Sequence, residues 1–272
     1  MSTRSRYPLV LLFLGFSLCV VSAIPVEPPP AFLITWGTEG DGDDQFYWPY
    51  GMAVDVHGKM YVADTNNHRV QKYDSSGTLL GVWGWGVQDG SPAFQICTSS
   101  CQKGTAGAGD RQFAWPSDVA VDAMGNVYVV DMDNDRIQML DSNGALLSMW
   151  GWGVDDGSDV YQICTSGCEH GIAGEGDGQF KRAASVAVGP GGKIYVTDVE
   201  NHRVQKLDND GTYLDKWGAN GSSAGQFSEP YGVGVDASGD VFVVDTNNHR
   251  VQKFDGPWLD VFVGEPELPH GR

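Results

Sequence analysis

The chain has 272 residues, and its 37 glycines and 11% aromatic content suit short strands joined by tight turns. This length allows one large all-β domain or two small ones. The formal net charge of −18 argues against nucleic-acid binding, whose affinity comes largely from phosphate contacts, and against binding to anionic membrane surfaces.

The first residues form a segment of their own. Arg4 and Arg6 precede an apolar run over residues 9–21 that ends in small residues, which predicts a cleaved secretory signal peptide at residues 1–23. An uncleaved membrane anchor is the alternative, because the run is near the lower length limit for spanning a bilayer. After cleavage, 15 basic and 35 acidic residues would remain, a net charge of −20, behind a proline-rich tether at residues 24–31. We therefore expect a secreted protein, or one on the extracellular surface, without membrane insertion after cleavage.

A repeat fills residues 32–264, before a short tail at residues 265–272. The string TNNHRVQK stands at residues 65–72 and again, unchanged, at residues 246–253, and related copies lie between them. The aspartates that open the four copies are spaced by 67, 67 and 47 residues; they are Asp64, Asp131, Asp198 and Asp245. Tryptophans followed by glycine show the same two spacings; they are Trp36, Trp83, Trp150 and Trp217. One unit of 47 residues is therefore repeated and twice lengthened by 20.

Each unit contains four short β signals separated by turn-forming pairs. In the first unit the signals lie at residues 52–56, 60–63, 69–73 and 79–83. Four antiparallel strands in a unit of this length are typical of a β-propeller blade. A β-sandwich, the alternative all-β fold, does not repeat its sequence at a fixed period. The pattern thus predicts an all-β propeller of four blades with four antiparallel strands each.

The sequence is compatible with more than one way of ending the ring of blades. A lone strand signal at residues 32–36 precedes the first blade and resembles the outermost strand of a previous one. It could pair with the last blade, but that blade carries its own fourth signal at residues 259–263. A closed four-blade ring, an open arc and a truncated longer propeller are all compatible with the sequence, and so is any oligomeric state.

The pattern PxGxAVDxxGxxYVxDxxNHRVQKxDxxGxxLxxWG resembles the NHL repeat. It occurs four times, at about residues 46–83, 113–150, 180–217 and 227–264. The second copy departs from the family at Asp135, where the family has histidine, and the third departs at residues 181–184, where a proline is usual. The resemblance implies a propeller, but it leaves the activity open, because NHL propellers mostly serve as interaction platforms, some bind RNA and related propellers are enzymes.

An Asp-x-x-x-x-Arg pair recurs once per blade, across the turn between the second and third strands. The pairs are Asp64/Arg69, Asp131/Arg136, Asp198/Arg203 and Asp245/Arg250. The aspartate can accept backbone N–H groups of the turn, while the arginine can donate to carboxylate or carbonyl oxygens. We predict a turn-stabilising device that every blade shares; the alternative is a ring of charges lining a site.

Three histidines in the same turns are candidate ligand-binding residues: His68, His202 and His249. Converging histidines can hold zinc, but these should lie on separate blades. The acidic loops at residues 41–44 and 131–135 resemble fragments of calcium loops, without the downstream glutamate of an EF-hand. We predict no cofactor and no metal site, with calcium and zinc as the alternatives.

Two near-identical insertions, at residues 86–110 and 153–177, lengthen the repeat. Each contains a Cys-x-x-x-Cys pair, and in an exported protein we expect one disulfide per loop: Cys97–Cys101 and Cys164–Cys168. A four-cysteine zinc site is the alternative. Both insertions link successive blades and should rise on the face of the Asn-His-Arg turns, where Trp85 and Trp152 could stack on a sugar or peptide or pack within the stem of the loop.

The sequence has no G-x-S-x-G elbow, no H-E-x-x-H motif and no phosphate-binding glycine loop. Although enzymatic activity stays uncertain, we therefore favour a non-enzymatic scaffold that binds an extracellular protein or glycan through the stapled-loop face. The alternatives are a metal-dependent propeller enzyme, similar to the peptide-amidating lyase or a lactonase, and a purely structural surface repeat. The identity of the ligand does not follow from the sequence.

Overall fold

The computed structural model describes residues 30–256. The chain divides into a unit that ends at Thr35 and a unit that begins at Trp36. In the first unit the described residues form no strand, and Phe32 and Leu33 are exposed. Among residues 30–256, no helix is long and apolar enough to cross a membrane. Four predictions lie wholly or largely outside the described residues: the signal peptide at 1–23, the tether at 24–31, the strand at 259–263 and the tail at 265–272.

The second unit begins with two short parallel strands, β1 (Thr38–Glu39) and β2 (Gln45–Phe46). Four antiparallel meanders follow, which we call blades 1 to 4. Blade 1 contains β3 (Pro49–Val54), β4 (Met60–Asp64), β5 (Arg69–Tyr73), β6 (Leu79–Trp85) and β7 (Phe94–Cys97). Blade 2 contains β8 (Pro116–Val121), β9 (Val127–Asp131), β10 (Arg136–Leu140), β11 (Leu146–Trp152) and β12 (Tyr161–Cys164). Blade 3 contains β13 (Ala183–Val188), β14 (Ile194–Asp198), β15 (Arg203–Leu207) and β16 (Tyr213–Trp217). The described strands of blade 4 are β17 (Pro230–Val235), β18 (Val241–Asp245) and β19 (Arg250–Phe254).

The blades are arranged as in a β-propeller, which confirms the predicted fold class. The first strands of successive blades lie side by side: β3 beside β8, β8 beside β13, and β13 beside β17. No comparable packing joins β17 to β3 among the described residues. Over residues 30–256 the four blades therefore form an open series with two end faces, one on blade 1 and one on blade 4.

The core lies between neighbouring blades. Tyr61 and Trp83 of blade 1 pack with Phe113 and Val119 of blade 2, and the two later interfaces repeat the pattern. Glycine at the turn before each fourth strand makes room for the preceding blade's tryptophan, because a Cβ at Gly144 would come within 3.1 Å of the Trp83 ring. Trp83 and Trp150 of the repeat therefore belong to the core between blades.

Blades 1 and 2 have five strands, not the predicted four. In blade 1 the fourth strand continues past the repeat's tryptophan to Trp85, and the insertion then folds back as β7 with Trp83 opposite Ile96. Blade 2 repeats this arrangement with Trp150 opposite Ile163. An unpaired outer strand exposes backbone N–H and C=O groups, and the fifth strand satisfies them. The insertions thus do not simply rise on the turn face; part of each covers the outer edge of its own blade.

The strand predicted at residues 32–36 is wrong. No described strand pairs with this segment, so its backbone lacks the hydrogen bonds that define a strand. Its last residue still has the position expected of an outermost strand. The Trp36 ring lies against Gly77, as Trp83 lies against Gly144, and its centroid is 6.1 Å from that of Tyr73.

Candidate functional site

The Asp–Arg pairs bind parts of the fold to each other. In blade 1 both side chains are fully buried, and Arg69 Nε donates to Asp64 Oδ2 at 2.7 Å. The other carboxylate oxygen accepts the backbone N–H of Tyr47 at 2.7 Å, while Oδ2 also accepts the side-chain amides of Asn67 and Gln71. Each contact satisfies a polar group that would be costly to bury alone.

The arginine also donates to backbone carbonyl groups of the loop before its own blade. For Arg69 these carbonyl groups belong to Asp41, Gly42 and Gln45, and a further one belongs to Gln102 in the insertion. Arg136 repeats all four contacts, including one to Glu169 of the second insertion. The pairs therefore join turn, loop and insertion within a blade, and their hydrogen-bonding groups are directed into the fold rather than into a shared pocket.

The turn histidines form hydrogen bonds between blades. His68 Nδ1 accepts the backbone N–H of Trp115 at 3.2 Å, and His202 Nδ1 accepts that of Glu229 at 3.1 Å. Blade 2 keeps the contact although the histidine is replaced, because Asp135 Oδ1 accepts the N–H of Arg182 at 2.9 Å.

Burial lowers the pKa of His68, which favours the neutral ring that can accept this bond. Burial raises the pKa of Asp135 to about 6. His68, His202 and His249 lie on blades 1, 3 and 4, and no group of three or more His, Cys, Asp or Glu side chains within residues 30–256 is placed to hold a metal. The described histidines therefore do not fit the zinc site that a converging trio would form.

The first acidic loop holds the first insertion in place. Asp43 accepts the backbone N–H groups of Ser100 and Cys101 at 2.6 and 2.7 Å. Asp110 does the same for Gly167 and Cys168 of the second insertion, at 2.8 and 2.7 Å. These carboxylates therefore act as backbone acceptors. The second acidic segment, residues 131–135, is the turn of blade 2 that contains Asp131 and Asp135.

Each insertion closes its own disulfide, as its duplication predicts: Cys97 with Cys101 and Cys164 with Cys168. After the first disulfide the chain returns to the turn of blade 1, where the N–H of Gly104 donates to the carbonyl of Asn67 at 2.7 Å. The insertions are thus fixed at both ends, to a blade edge and to a turn.

Trp85 and Trp152 hold together the two ends of each insertion. The indole N–H of Trp85 donates to the carbonyl of Asp110 at 2.9 Å, and that of Trp152 donates to the carbonyl of Asp177 at 2.9 Å. Both side chains are half-buried. Packing within the stem therefore accounts for their polar groups.

A different set of aromatic residues is exposed on the turn face, where the first strands begin. Trp48 is 63% exposed, Tyr50 is 59% exposed and Trp115 is 41% exposed. We call these three residues, with Arg182 and Tyr231, the axial cluster. Except for Trp48, its members line a cavity of about 30 Å³ to which all four blades contribute. The Trp48 ring lies beside Tyr50, with centroids 6.5 Å apart.

The axial cluster was not predicted from the sequence. Trp48, Trp115 and Arg182 have the positive φ of left-handed backbone, at 54°, 52° and 54°, which turns each residue out of the strand that follows. Large residues rarely adopt this conformation. A signal was available, because Trp48 and Trp115 stand directly before a proline at equivalent places in two repeats, yet an aromatic residue in a repeat usually indicates core.

The model of the family described as NHL repeat matches residues 46–73, 113–139, 180–207 and 227–254. Peptidyl-glycine alpha-amidating monooxygenase A of Xenopus laevis is 30% identical over 168 residues, which cover 60% of this chain and 14% of that protein. "Probable peptidyl-alpha-hydroxyglycine alpha-amidating lyase pgal-1" of Caenorhabditis elegans is 30% identical over 39% of this chain and 26% of its own length. NHL repeat-containing protein 3 of Homo sapiens is 29% identical over 55% of this chain and 34% of its own length.

This chain therefore matches a minor part of each of these relatives. Among solved structures, a protein of unknown function from Bacteroides thetaiotaomicron aligns with a TM-score of 0.50 at 13% identity, over 76% of this chain and 47% of that one. This likeness concerns the fold alone.

Proposed function

Because this chain is a member of the NHL-repeat family, with four copies of the repeat, we propose that it is a non-enzymatic binding module of the secretory pathway or extracellular space. Its two disulfides suit an oxidising compartment. The axial cluster is the surface that recognises the ligand, and the ligand is a protein.

The exposure of the axial cluster carries this proposal. Trp, Tyr and Arg are the residue types that contribute most to binding energy at protein interfaces. Three exposed aromatic side chains and a half-exposed arginine meet here, on a rigid face where the first strands of all four blades begin. Exposing so much apolar surface is costly unless a partner covers it.

The stapled insertions support this surface without forming it. Their N–H groups bind Asp43 and Asp110, the indoles of Trp85 and Trp152 bond to the far end of the same insertion, and their fifth strands cover blade edges. The ligand-binding role therefore belongs to Trp48 and Trp115 rather than to Trp85, Trp152 or the turn histidines.

The test uses the full chain, secreted by the host cell so that the disulfides form. Extracellular proteins captured on it are identified, and the dissociation constant of each purified candidate is measured by calorimetry. We expect Trp48→Ala/Trp115→Ala to weaken binding at least about 30-fold, since each lost anchor typically costs more than 1 kcal/mol. The control, Met124→Ala, removes a side chain that is 72% exposed on the turn between β8 and β9, and it should bind as the parent does.

Unchanged affinity in the double variant would rule out the axial cluster. If the chain binds to a glycan array and this binding depends on the same two tryptophans, the ligand is a sugar rather than a protein. A chain that retains no ligand in either experiment would favour a purely structural repeat.

A lyase is the second candidate, favoured by the 30% identity to the amidating proteins. The purified chain is incubated with a peptidyl-α-hydroxyglycine substrate, with zinc and calcium added, and the amidated peptide is measured by mass spectrometry. Turnover above that of heat-denatured protein, together with stoichiometric metal in the purified chain, would establish the enzyme and displace the binding module.

A further inference from the structure

The two end faces of the blade series carry matching halves of an inter-blade interface. Inside the series, each interface combines an apolar contact with hydrogen bonds from the turn of one blade to the first strand of the next. Between blades 1 and 2, Thr65 Oγ1 donates to the carbonyl of Pro116 at 2.8 Å, and His68 Nδ1 accepts the N–H of Trp115 at 3.2 Å.

Blade 4 has the same turn between its second and third strands as blade 1. The string TNNHRVQK contains Thr65 and His68 in one copy and Thr246 and His249 in the other. The left-handed conformation that ends this turn is also shared, with φ of 51° at His68 and 54° at His249. Blade 4 therefore presents the same donor and acceptor groups, but no described blade follows it.

Blade 1 begins as blade 2 does. Trp48-Pro49 occupies the position of Trp115-Pro116, and both tryptophans have left-handed φ, 54° and 52°. Among residues 30–256, neither the N–H of Trp48 nor Nδ1 of His249 has a hydrogen-bond partner. A contact of blade 4 with blade 1 would thus reproduce the interface of blades 1 and 2 with identical residue types at the hydrogen-bonding positions.

The apolar positions of the interface are exposed at both ends. Val70 is fully buried, whereas its counterpart Val251 in blade 4 is 63% exposed. Likewise Val119 is 2% exposed, whereas its counterpart Met52 in blade 1 is 57% exposed. Side chains that form the core elsewhere in the molecule therefore lack a partner here.

The position of Trp36 limits which strands of another blade can pack on the end face of blade 1. Its ring occupies the place that the fourth-strand tryptophan of a preceding blade takes over Gly144 and Gly211. An incoming blade therefore needs to supply its first three strands, and β17, β18 and β19 are the described strands of blade 4.

We propose that a second copy of this chain covers both end faces, with blade 4 of each copy packed on blade 1 of the other. Contacts of this head-to-tail kind close into a ring when the rotation allows it. Two copies supply about eight blades, the upper end of the usual range of propellers, whereas three copies would exceed it. Among residues 30–256, β17 and β3 do not pack together, so both end faces are available to another copy. This proposal does not depend on the ligand of the axial cluster.

The test measures the mass of the secreted full chain by light scattering after size-exclusion chromatography. We expect a dimer. A charge in either face should disrupt both contacts of the homodimer, so Met52→Glu and Val251→Glu should each run as monomers. Met124→Glu places the same charge at the β8–β9 turn and should leave the dimer intact.

Mixing the two monomeric variants separates a broken interface from a misfolded chain. The Met52→Glu copy keeps its blade 4 face and the Val251→Glu copy keeps its blade 1 face, so one intact contact should form and restore a heterodimer. Misfolded chains would restore nothing. A monomeric parent, a parent that assembles beyond the dimer, or a dimer that survives both substitutions would overturn the proposal.

Discussion

Asp135 Oδ1 accepts the backbone N–H of Arg182 at 2.9 Å, in the place where His68 Nδ1 accepts that of Trp115 one blade earlier. The carboxylate preserves the contact at an electrostatic cost, because burial raises its pKa to about 6, with the nearby Asp198 and Asp133 adding to the effect. A raised pKa means that the folded chain favours the protonated form. The stability that this form contributes is present below the unfolded pKa of about 4 and is lost as the pH rises through about 6.

We expect Asp135→Asn to raise the free energy of unfolding by about 1 kcal/mol at pH 7, after allowance for solvent screening, with no gain near pH 4. The amide oxygen can still accept the N–H of Arg182. Urea unfolding from pH 4 to 7 measures the difference. Asp156→Asn is the control of opposite sign, because hydrogen bonds from Ser158 and Gln162 lower the pKa of Asp156 to about 2. A pH-independent effect of Asp135→Asn would contradict the assignment.

The buried arginines should differ in importance according to their exposure. Arg136 is fully buried with Asp131, while the side chain of Arg250 is 32% exposed beside Asp245. Arg136→Met removes the counter-charge of a buried carboxylate and the arginine's hydrogen bonds to four backbone carbonyl groups, so we expect a loss of about 3–5 kcal/mol. Water can replace part of the Arg250 contacts, and Arg250→Met should cost about 1–2 kcal/mol. Chemical denaturation followed by tryptophan fluorescence gives both values; equal losses would show that burial is not what makes the pair stabilising.

Two glycines with matched backbones can test how tightly Tyr161 of the fifth strand β12 packs in the slot beside Gly178. Gly178 and Gly225 have nearly the same backbone, with φ of +75° and +78°. A Cβ at Gly178 would meet the Tyr161 ring at 2.2 Å, whereas no described atom lies within 4 Å of one at Gly225. Alanine strains the backbone equally at both sites, so the difference in unfolding free energy reports the clash alone.

We expect Gly178→Ala to cost about 1–3 kcal/mol more than Gly225→Ala, the usual range for overpacking. Hydrogen exchange should show lost protection of β12 in Gly178→Ala, since Tyr161 must move. Equal costs would mean that Tyr161 does not fill this slot in solution.

The disulfides should contribute little to the stability of the blades. Each closes a loop with a sequence separation of 4, and so short a loop restricts the unfolded chain by only about 2 kcal/mol. In Cys97→Ser/Cys101→Ser we expect a loss of that size or less. The amides of β7 should remain protected from hydrogen exchange, because β6 still pairs with them and Asp43 still binds the loop. Unfolding of blade 1 in this variant would contradict that view.

The propeller fold could be predicted from the sequence because the same pattern of strands and turns recurs in four units. The Asp–Arg pairs could likewise be recognised as a shared device, since a contact that serves every blade recurs in every blade. The fifth strands could not be predicted, because Phe94–Cys97 and Tyr161–Cys164 are short apolar runs without a counterpart in the other two repeats.

The candidate site was harder to predict for a different reason. Trp48 and Trp115 are exposed because each has a left-handed backbone conformation that turns it away from the strand that follows. The sequence does not reveal this conformation. Trp85 and Trp152 are conspicuous in sequence, yet their indole N–H groups are used within the fold. Exposure and satisfied hydrogen bonds, which only coordinates reveal, separate the two pairs.

The hydrogen bonds of the buried arginines also bear on how the chain lengthened. Every acceptor of Arg69 lies within residues 41–102, and every acceptor of Arg136 lies within residues 108–169. A genetic duplication of one 67-residue segment therefore copies its buried polar network whole. Evolution can add such a segment in a single event, with its insertion and disulfide included, and the next blade finds the same surface to pack against.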